Sequence, residues 1–206
     1  MNNTLNVIET RYSCRSYTGT AIEAEKVEAI ALAAVQSPSG MNQQPWEITV
    51  ITDKALIDEM DAVTMDMLSK QEDKALYKRM ALRGGKIFYN APCMFVIAKK
   101  PGTDLDCGIV SENIALAATS LNLGNVICGL ARLIFDTEKG AEYAAQLIPE
   151  GYEFGVAVLV GYATDITLDS NQLTSSGYLI PAAQFHNLQE VLIVTALKET
   201  GESSGE

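Results

Sequence analysis

Apolar residues recur along the chain in two rhythms. From Glu23 to Gln36, Val27, Ile30, Ala31 and Ala34 fall at i, i+3, i+4 and i+7, which predicts an amphipathic helix. "SPSG" ends it, because Pro38 and Gly40 do not continue a helix comfortably. Trp46 to Thr52, "WEITVIT", reads as a strand. A helical stretch follows from Lys54 to about Arg83, broken once and closed by Gly84-Gly85. Cys93 to Lys99, "CMFVIAK", is an unbroken apolar run, the mark of a strand covered on both faces. From Ile109 to Leu121 the residues are apolar or small on almost every side, which predicts a core helix stopped at Gly124. "NVICG" and "GVAVLVGYA" supply two more interior strands, and Asn3 to Thr10 a short helix ending near Arg11. Together these elements predict a mixed sheet of about four strands flanked by helices. One domain spans residues 1–197, and the polar end "KETGESSGE", residues 198–206, reads as a frayed tail.

Composition narrows the field. The 206 residues leave room for a full core, and 48% apolar with 20% charged residues is a globular balance. The formal net charge of −11 repels nucleic acid and anionic membranes, so an anionic ligand must be held by a few local cations. The apolar runs are too short to span a bilayer, and no Lys/Arg-led apolar leader is visible. Cys14, Cys93, Cys107 and Cys128 form no C-x-x-C pair, and three of them sit in or beside apolar segments, as reduced cytoplasmic thiols do. With one histidine, His186, a multi-His zinc site is excluded, and a Ser-His-Asp triad would have to pass through it.

Two stretches carry candidate chemistry. In "RYSCRSY", Arg11, Ser13 and Arg15 alternate, so an extended chain puts two guanidiniums and a hydroxyl on one face, roughly 6.5–7 Å apart at each step. That set can surround a phosphate with charge-assisted contacts; a solvated patch paired to some of the 26 acidic residues is the other reading. No G-x-G-x-x-G or Walker-type loop accompanies it, so a nucleotide-like ligand would be held by side chains. In "SPSGMNQQPW", Pro38 and Pro45 stiffen a loop, Gly40 permits close backbone approach, and Ser39, Asn42, Gln43 and Gln44 offer uncharged donors and acceptors. These suit a flat heteroaromatic ring; a turn that merely caps a helix is the alternative.

Taken in order, "RYSCRSY", the Ala-rich helix and "SPSGMNQQPWEITVI" resemble the nitroreductase family of FMN-dependent oxidoreductases. "IFYNAPCMFVIAK", "DCGIVSENIALAATSLNLGNVICG" and, more loosely, "PEGYEFGVAVLVGY" continue the resemblance. It implies that Arg11, Ser13 and Arg15 meet the FMN phosphate and ribityl chain. Pro38, Ser39, Gly40 and Asn42 would reach the isoalloxazine from the partner subunit, with the backbone of Cys128, Gly129 and Leu130 facing the ring near N5. It further implies an α+β fold with a mixed, mainly antiparallel sheet, in an intertwined homodimer with Ile109–Leu121 at its centre and a strand, such as "EVLIVTAL", exchanged between subunits. Lys86 is the candidate cation for reduced flavin, or else a solvent-facing lysine.

By the same resemblance, NADH or NADPH reduces the flavin at N5 and a nitroaromatic or quinone reoxidises it in a ping-pong cycle, with no catalytic side chain required. Substrate choice would lie between about Met60 and Arg83, where Met60, Met65, Met67, Tyr77 and Met80 form either an adaptable apolar lid or core packing. One departure stands out. The family's C-terminal phosphate-binding cation has no counterpart in "GYLIPAAQFHNLQEV": either Arg132 substitutes or two arginines alone hold the phosphate, and His186 either compensates in part or is structural. A protein that binds FMN or a related nucleotide without turnover, as a sensor or store, is therefore the second reading.

Overall fold

A computed structural model describes residues 3–164. Along the chain run α1 (Asn3–Thr10), α2 (Ala24–Val35), β1 (Trp46–Ile51), α3 (Lys54–Lys70), α4 (Ala75–Ala81), β2 (Cys93–Lys99), α5 (Asp104–Ser120), β3 (Gly124–Cys128), α6 (Gly140–Leu147) and β4 (Glu153–Gly161). Short 3-10 segments occupy Gly40–Asn42 and Gly129–Asp136. The strands lie in the order β1-β2-β4-β3. All three pairings are antiparallel, and the parallel contact is an isolated bridge between Ser13 and Asn125. Among the described residues the sheet is antiparallel, in keeping with the mainly antiparallel expectation.

Every residue of β2 is buried, as its unbroken apolar run predicts. Its side chains alternate between two cores. Cys93, Phe95 and Ile97 pack with Ile30 and Ala34 of α2 and Val110, Ile114 and Ala118 of α5. Met94 and Val96 pack with Ile57, Met60 and Leu68 of α3 and with Ile134, Tyr143 and Leu147 beyond β3. Two helical layers therefore sandwich one sheet.

Helix ends follow local chemistry. Asp53 caps α3 by accepting from the Ala55 and Leu56 N–H groups at 2.9 and 3.3 Å. α5 stops earlier than predicted. Asn122 takes a left-handed φ of 60°, and the Asn122 and Leu123 N–H groups return to the Thr119 and Ala118 carbonyls. Gly124 is not the stop; it opens β3, where a Cβ would lie 2.8 Å from Cys14 Sγ and 2.9 Å from Cys14 Cβ. The methionine segment also divides. Met60 and Met80 are buried in the core, so they cannot serve as a lid, whereas Met65 and Tyr77 are partly buried. These two line an open cleft of about 520 Å³ with Asp66, Ser69, Ala81, Gly84 and Gly85. Among the described residues, no helix is long and apolar enough to cross a membrane. The exchanged strand "EVLIVTAL", His186, the "GYLIPAAQFHNLQEV" region and the 197/198 boundary lie outside the described residues.

Candidate flavin site

After α1 the chain runs extended alongside β3. Cys14 N–H donates to the Asn125 carbonyl at 2.8 Å, and Ser13 bridges Asn125. The burial does not alternate strictly, because Tyr12 is exposed although it lies two residues before the buried Cys14. Cys14 turns inward, 3% exposed, while Arg11, Ser13 and Arg15 remain half-buried at the surface. Arg11 pairs with Glu112 of α5 at 3.8 Å, and Arg15 Nη1 donates to the Ser13 carbonyl at 3.2 Å. Ser13, between the two arginines, is thus bridged to β3, while Arg11 still closes α1 by donating its N–H to the Val7 carbonyl at 3.0 Å.

β3 delivers Cys128, Gly129 and Leu130 to the same neighbourhood. Burial pushes the Cys128 thiol up to about 11, against the pull of the Ala131 and Leu130 N–H groups turned toward it and of the Arg15 charge. Burial likewise raises the Tyr89 hydroxyl, with Arg15 and Arg83 among the charges opposing it. At Gly129 a Cβ would meet nothing within 4 Å, so a ligand can approach this backbone. Arg132 is exposed in the 3-10 segment beyond.

Lys86 points to α3. Its ammonium donates to Asp58 at 2.7 Å and Asn90 at 3.0 Å, and the Asp58 carboxylate raises it above the usual lysine range. Asp58 also holds Lys54. Lys86 is therefore neither a lone cation nor simply solvent-facing.

The 38–42 loop sits elsewhere. Gly40 N–H donates to Asp106 at 3.1 Å, Gln44 N–H to Ser39 Oγ at 2.8 Å, and Asn113 Nδ2 to Ser37 Oγ at 2.9 Å. These bonds hold Met41, Asn42 and Gln44 at φ of 52°, 54° and 45°, left-handed values costing about 1–2 kcal/mol each. Pro38, Gly40 and Asn42 are exposed and Ser39 half-buried. No neighbour in the chain demands glycine at position 40, where a Cβ meets nothing within 4 Å. The loop enters β1 at its Trp46 end, whereas Ser13 lies beyond β3 level with the Ile51 end. Strand spacings of about 4.8 Å and a rise of about 3.3 Å per residue put these corners on the order of 25 Å apart. One chain does not bring Arg11, Ser13 and Arg15 to Pro38, Ser39, Gly40 and Asn42.

Sequence reasoning missed Asp61 and Asn90. Asp61, 3% exposed, accepts from Ile87 N–H at 2.5 Å and Phe88 N–H at 3.3 Å, while its Oδ2 has no partner among the described residues. A signal existed: Ile57, Met60, Asp61, Thr64 and Leu68 form the buried stripe of α3, so a carboxylate occupies a core position. Asn90 gave none, since its role depends on a left-handed turn.

The donor set suits a phosphate: two guanidiniums and a hydroxyl within five residues, in a chain of net charge −11. A sequence profile described as "Nitroreductase family" matches residues 8–162, about three quarters of the chain. The chain belongs to the nitroreductase family. Among solved structures, a nitroreductase with bound FMN from Desulfitobacterium hafniense is 45% identical with a TM-score of 0.75, covering 80% of this chain and 90% of that one. A second nitroreductase with bound FMN, from Bacteroides fragilis, is 27% identical with a TM-score of 0.71, covering 82% and 92%. An Archaeoglobus fulgidus protein, provisionally named NADH dehydrogenase/NAD(P)H nitroreductase, is 30% identical over 80% of this nitroreductase-family chain and 88% of its own length.

Proposed function

We propose that this member of the nitroreductase family is an FMN-dependent oxidoreductase that takes electrons from NADH or NADPH and passes them to small aromatic acceptors such as nitroaromatics or quinones. The observation that carries the reading is that Ser13, flanked by Arg11 and Arg15, bridges Asn125 of the strand that ends at Cys128, just before Gly129 and Leu130. The relatives that hold FMN support it. When bound, FMN supplies the redox chemistry by accepting and returning a hydride, so the chain needs no acid–base dyad.

The chain's own residues bind and orient. Arg11 and Arg15 neutralise the phosphate, and Ser13 donates to it. The half-exposed Arg11–Glu112 pair opposes this little, because such pairs contribute under about 1 kcal/mol. The backbone of Cys128, Gly129 and Leu130 lines the ring, and the open space at Gly129 admits it. Lys86 keeps positive charge nearby while anchored to Asp58, and Arg132 adds a cation at the rim.

The ring's second wall is the 38–42 loop of a second copy of the chain, which makes the working unit a homodimer. The corner-to-corner separation within one chain favours that arrangement. Apolar side chains exposed on α1, α2, the loop and α5 (Leu5, Ile8, Leu32, Val35, Met41 and Leu105) favour it too. Ping-pong turnover follows if nucleotide and acceptor use the same face in succession.

The test is anaerobic stopped flow on FMN-loaded protein. NADH or NADPH bleaches the flavin, and a quinone or nitroaromatic restores its colour. Bound flavin that neither nucleotide bleaches would replace the enzyme with a binding protein.

A further inference from the structure

A buried carboxylate on α3 and a strained turn after Gly85 are not used by the chemistry above, and they connect directly to the Arg15 segment. Asp61 Oδ1 accepts two successive N–H groups, those of Ile87 and Phe88. Asp58, one turn earlier on the same helix, takes Lys86 of the same turn at 2.7 Å. The turn then enters two left-handed residues, Tyr89 at φ 54° and Asn90 at φ 67°. Side chains with a Cβ rarely adopt such values without being held.

From there the contacts lead to the N-terminal segment. Asn90 Oδ1 accepts from Lys86 at 3.0 Å, and Asn90 Nδ2 donates to the Tyr17 carbonyl at 3.1 Å. Tyr17 N–H donates to the Tyr89 carbonyl at 3.1 Å. Gly19 closes over the clasp, where a Cβ would lie 2.7 Å from Asn90 Nδ2. Tyr17 is itself buried, its hydroxyl 3.2 Å from the Cys14 carbonyl and 3.3 Å from that of Leu159. Arg15 stands between Cys14 and Tyr17, so both of its flanks are tied.

We propose that Asp61 is a positioning residue for the phosphate end of the flavin site: it splints the 86–90 turn, and Asn90 in that turn fixes Tyr17 and hence Arg15. The relay rests on the FMN reading for its consequence, but not for its existence. Asp58 holds the turn only through the Lys86 side chain, whereas Ile87 and Phe88 are fully buried and, among the described residues, both of their N–H groups are held by Asp61. Removing it leaves two buried donors unsatisfied, which is costly and loosens the segment they belong to.

Two measurements on the full chain test this. The first is amide hydrogen exchange on the protein without FMN. Asp61→Ala is expected to lose protection at Ile87, Phe88 and Tyr17 together. Asn90→Gly, which keeps the left-handed backbone without strain, removes the bond to the Tyr17 carbonyl but leaves the Tyr17 N–H its Tyr89 acceptor, so it is expected to lower Tyr17 protection in part while Ile87 and Phe88 stay protected. The second is FMN affinity by fluorescence quenching. Both variants are expected to weaken FMN about tenfold, the loss of one charge-assisted phosphate contact. Asp61→Asn, whose carboxamide oxygen still accepts both N–H groups, is expected to bind as the unmodified chain does. Leu68→Ala, a core truncation on the same helix, is expected to lower the melting temperature without weakening FMN.

Tyr17 protection unchanged in Asn90→Gly overturns the relay, and that variant carries the test if Asp61→Ala does not fold. Equal weakening of FMN by Leu68→Ala also overturns it, by reducing the effect to general stability. Failure of the unmodified protein to bind FMN refutes the proposed function instead, and the exchange pattern still decides the relay.

Discussion

Replacing Gly124 by alanine perturbs the phosphate segment from behind. The new Cβ would lie 2.8 Å from Cys14 Sγ, 2.9 Å from Cys14 Cβ and 3.4 Å from Ala163 Cβ. Cys14 would have to retreat by about 0.6 Å to regain ordinary contact at 3.4 Å. Rotating the thiol does not suffice, because the Cys14 Cβ is equally close. The backbone must move, yet Cys14 N–H is bonded to the Asn125 carbonyl at 2.8 Å on the strand that carries the clash. Overpacking of this kind costs about 1–3 kcal/mol. For a chain of this size that lowers the melting temperature by about 3–10 °C. Ser13 and Arg15 flank Cys14 and move with it, so FMN affinity should fall by about a decade or more, as one charge-assisted contact is lost. Thermal melting of the protein without FMN and a fluorescence titration with FMN measure the two effects. A Gly124→Ala protein with unchanged melting temperature and unchanged FMN affinity would refute the packing argument.

Other outcomes follow from the same contacts. Arg15→Ala should weaken FMN by about one to two decades, from loss of about 1.5–3 kcal/mol of charge-assisted bonding, measured by the same titration. Burial pushes the Asp61 carboxyl from an unfolded value of 3.8 up to about 6, so the folded state holds that proton more tightly and loses stability as pH rises between the two values. Denaturant melts across that range should therefore show Asp61→Asn gaining up to about 3 kcal/mol relative to the unmodified chain, and a constant difference would contradict the assignment. At the far end of the sheet, a Cβ at Gly155 would lie 2.6 Å from Cys107 Sγ and 3.0 Å from the Ile97 carbonyl oxygen. Gly155→Ala should cost about 1–3 kcal/mol, and adding Cys107→Ala should recover at least about 0.5 kcal/mol beyond additivity in a denaturant double-mutant cycle.

The elements were legible because their signals are local. The all-apolar β2 and the stripe on α2 each follow from a few consecutive residues. The stop of α5 was misread because glycine is the commoner left-handed cap, whereas Asn122 takes that place and Gly124 serves close packing against Cys14. The lid reading failed in part because Met60 and Met80 fall on the buried stripe, a distinction set by tertiary packing of α3 and α4. Lys86 was placed correctly in the turn but not against Asp58, a partner 28 residues away. Asp61 and Asn90 escaped for the same reason: a carboxylate acquires its meaning from N–H groups that sequence spacing does not bring to it.

The central claim is a flavin site built from the Arg15 edge of one chain and the 38–42 loop of another. Subunit complementation tests it most directly. Arg15→Ala chains and Ser39→Ala/Asn42→Ala chains are prepared separately, mixed, unfolded and refolded together, and FMN bound per chain is measured. Each variant alone should retain little FMN. In a random mixture half the dimers are mixed, and each of those carries one intact site, so about a quarter of all sites should recover native affinity. No recovery on mixing, with each variant alone still defective and the mixed dimers demonstrably formed, would place both elements within one chain and contradict the account.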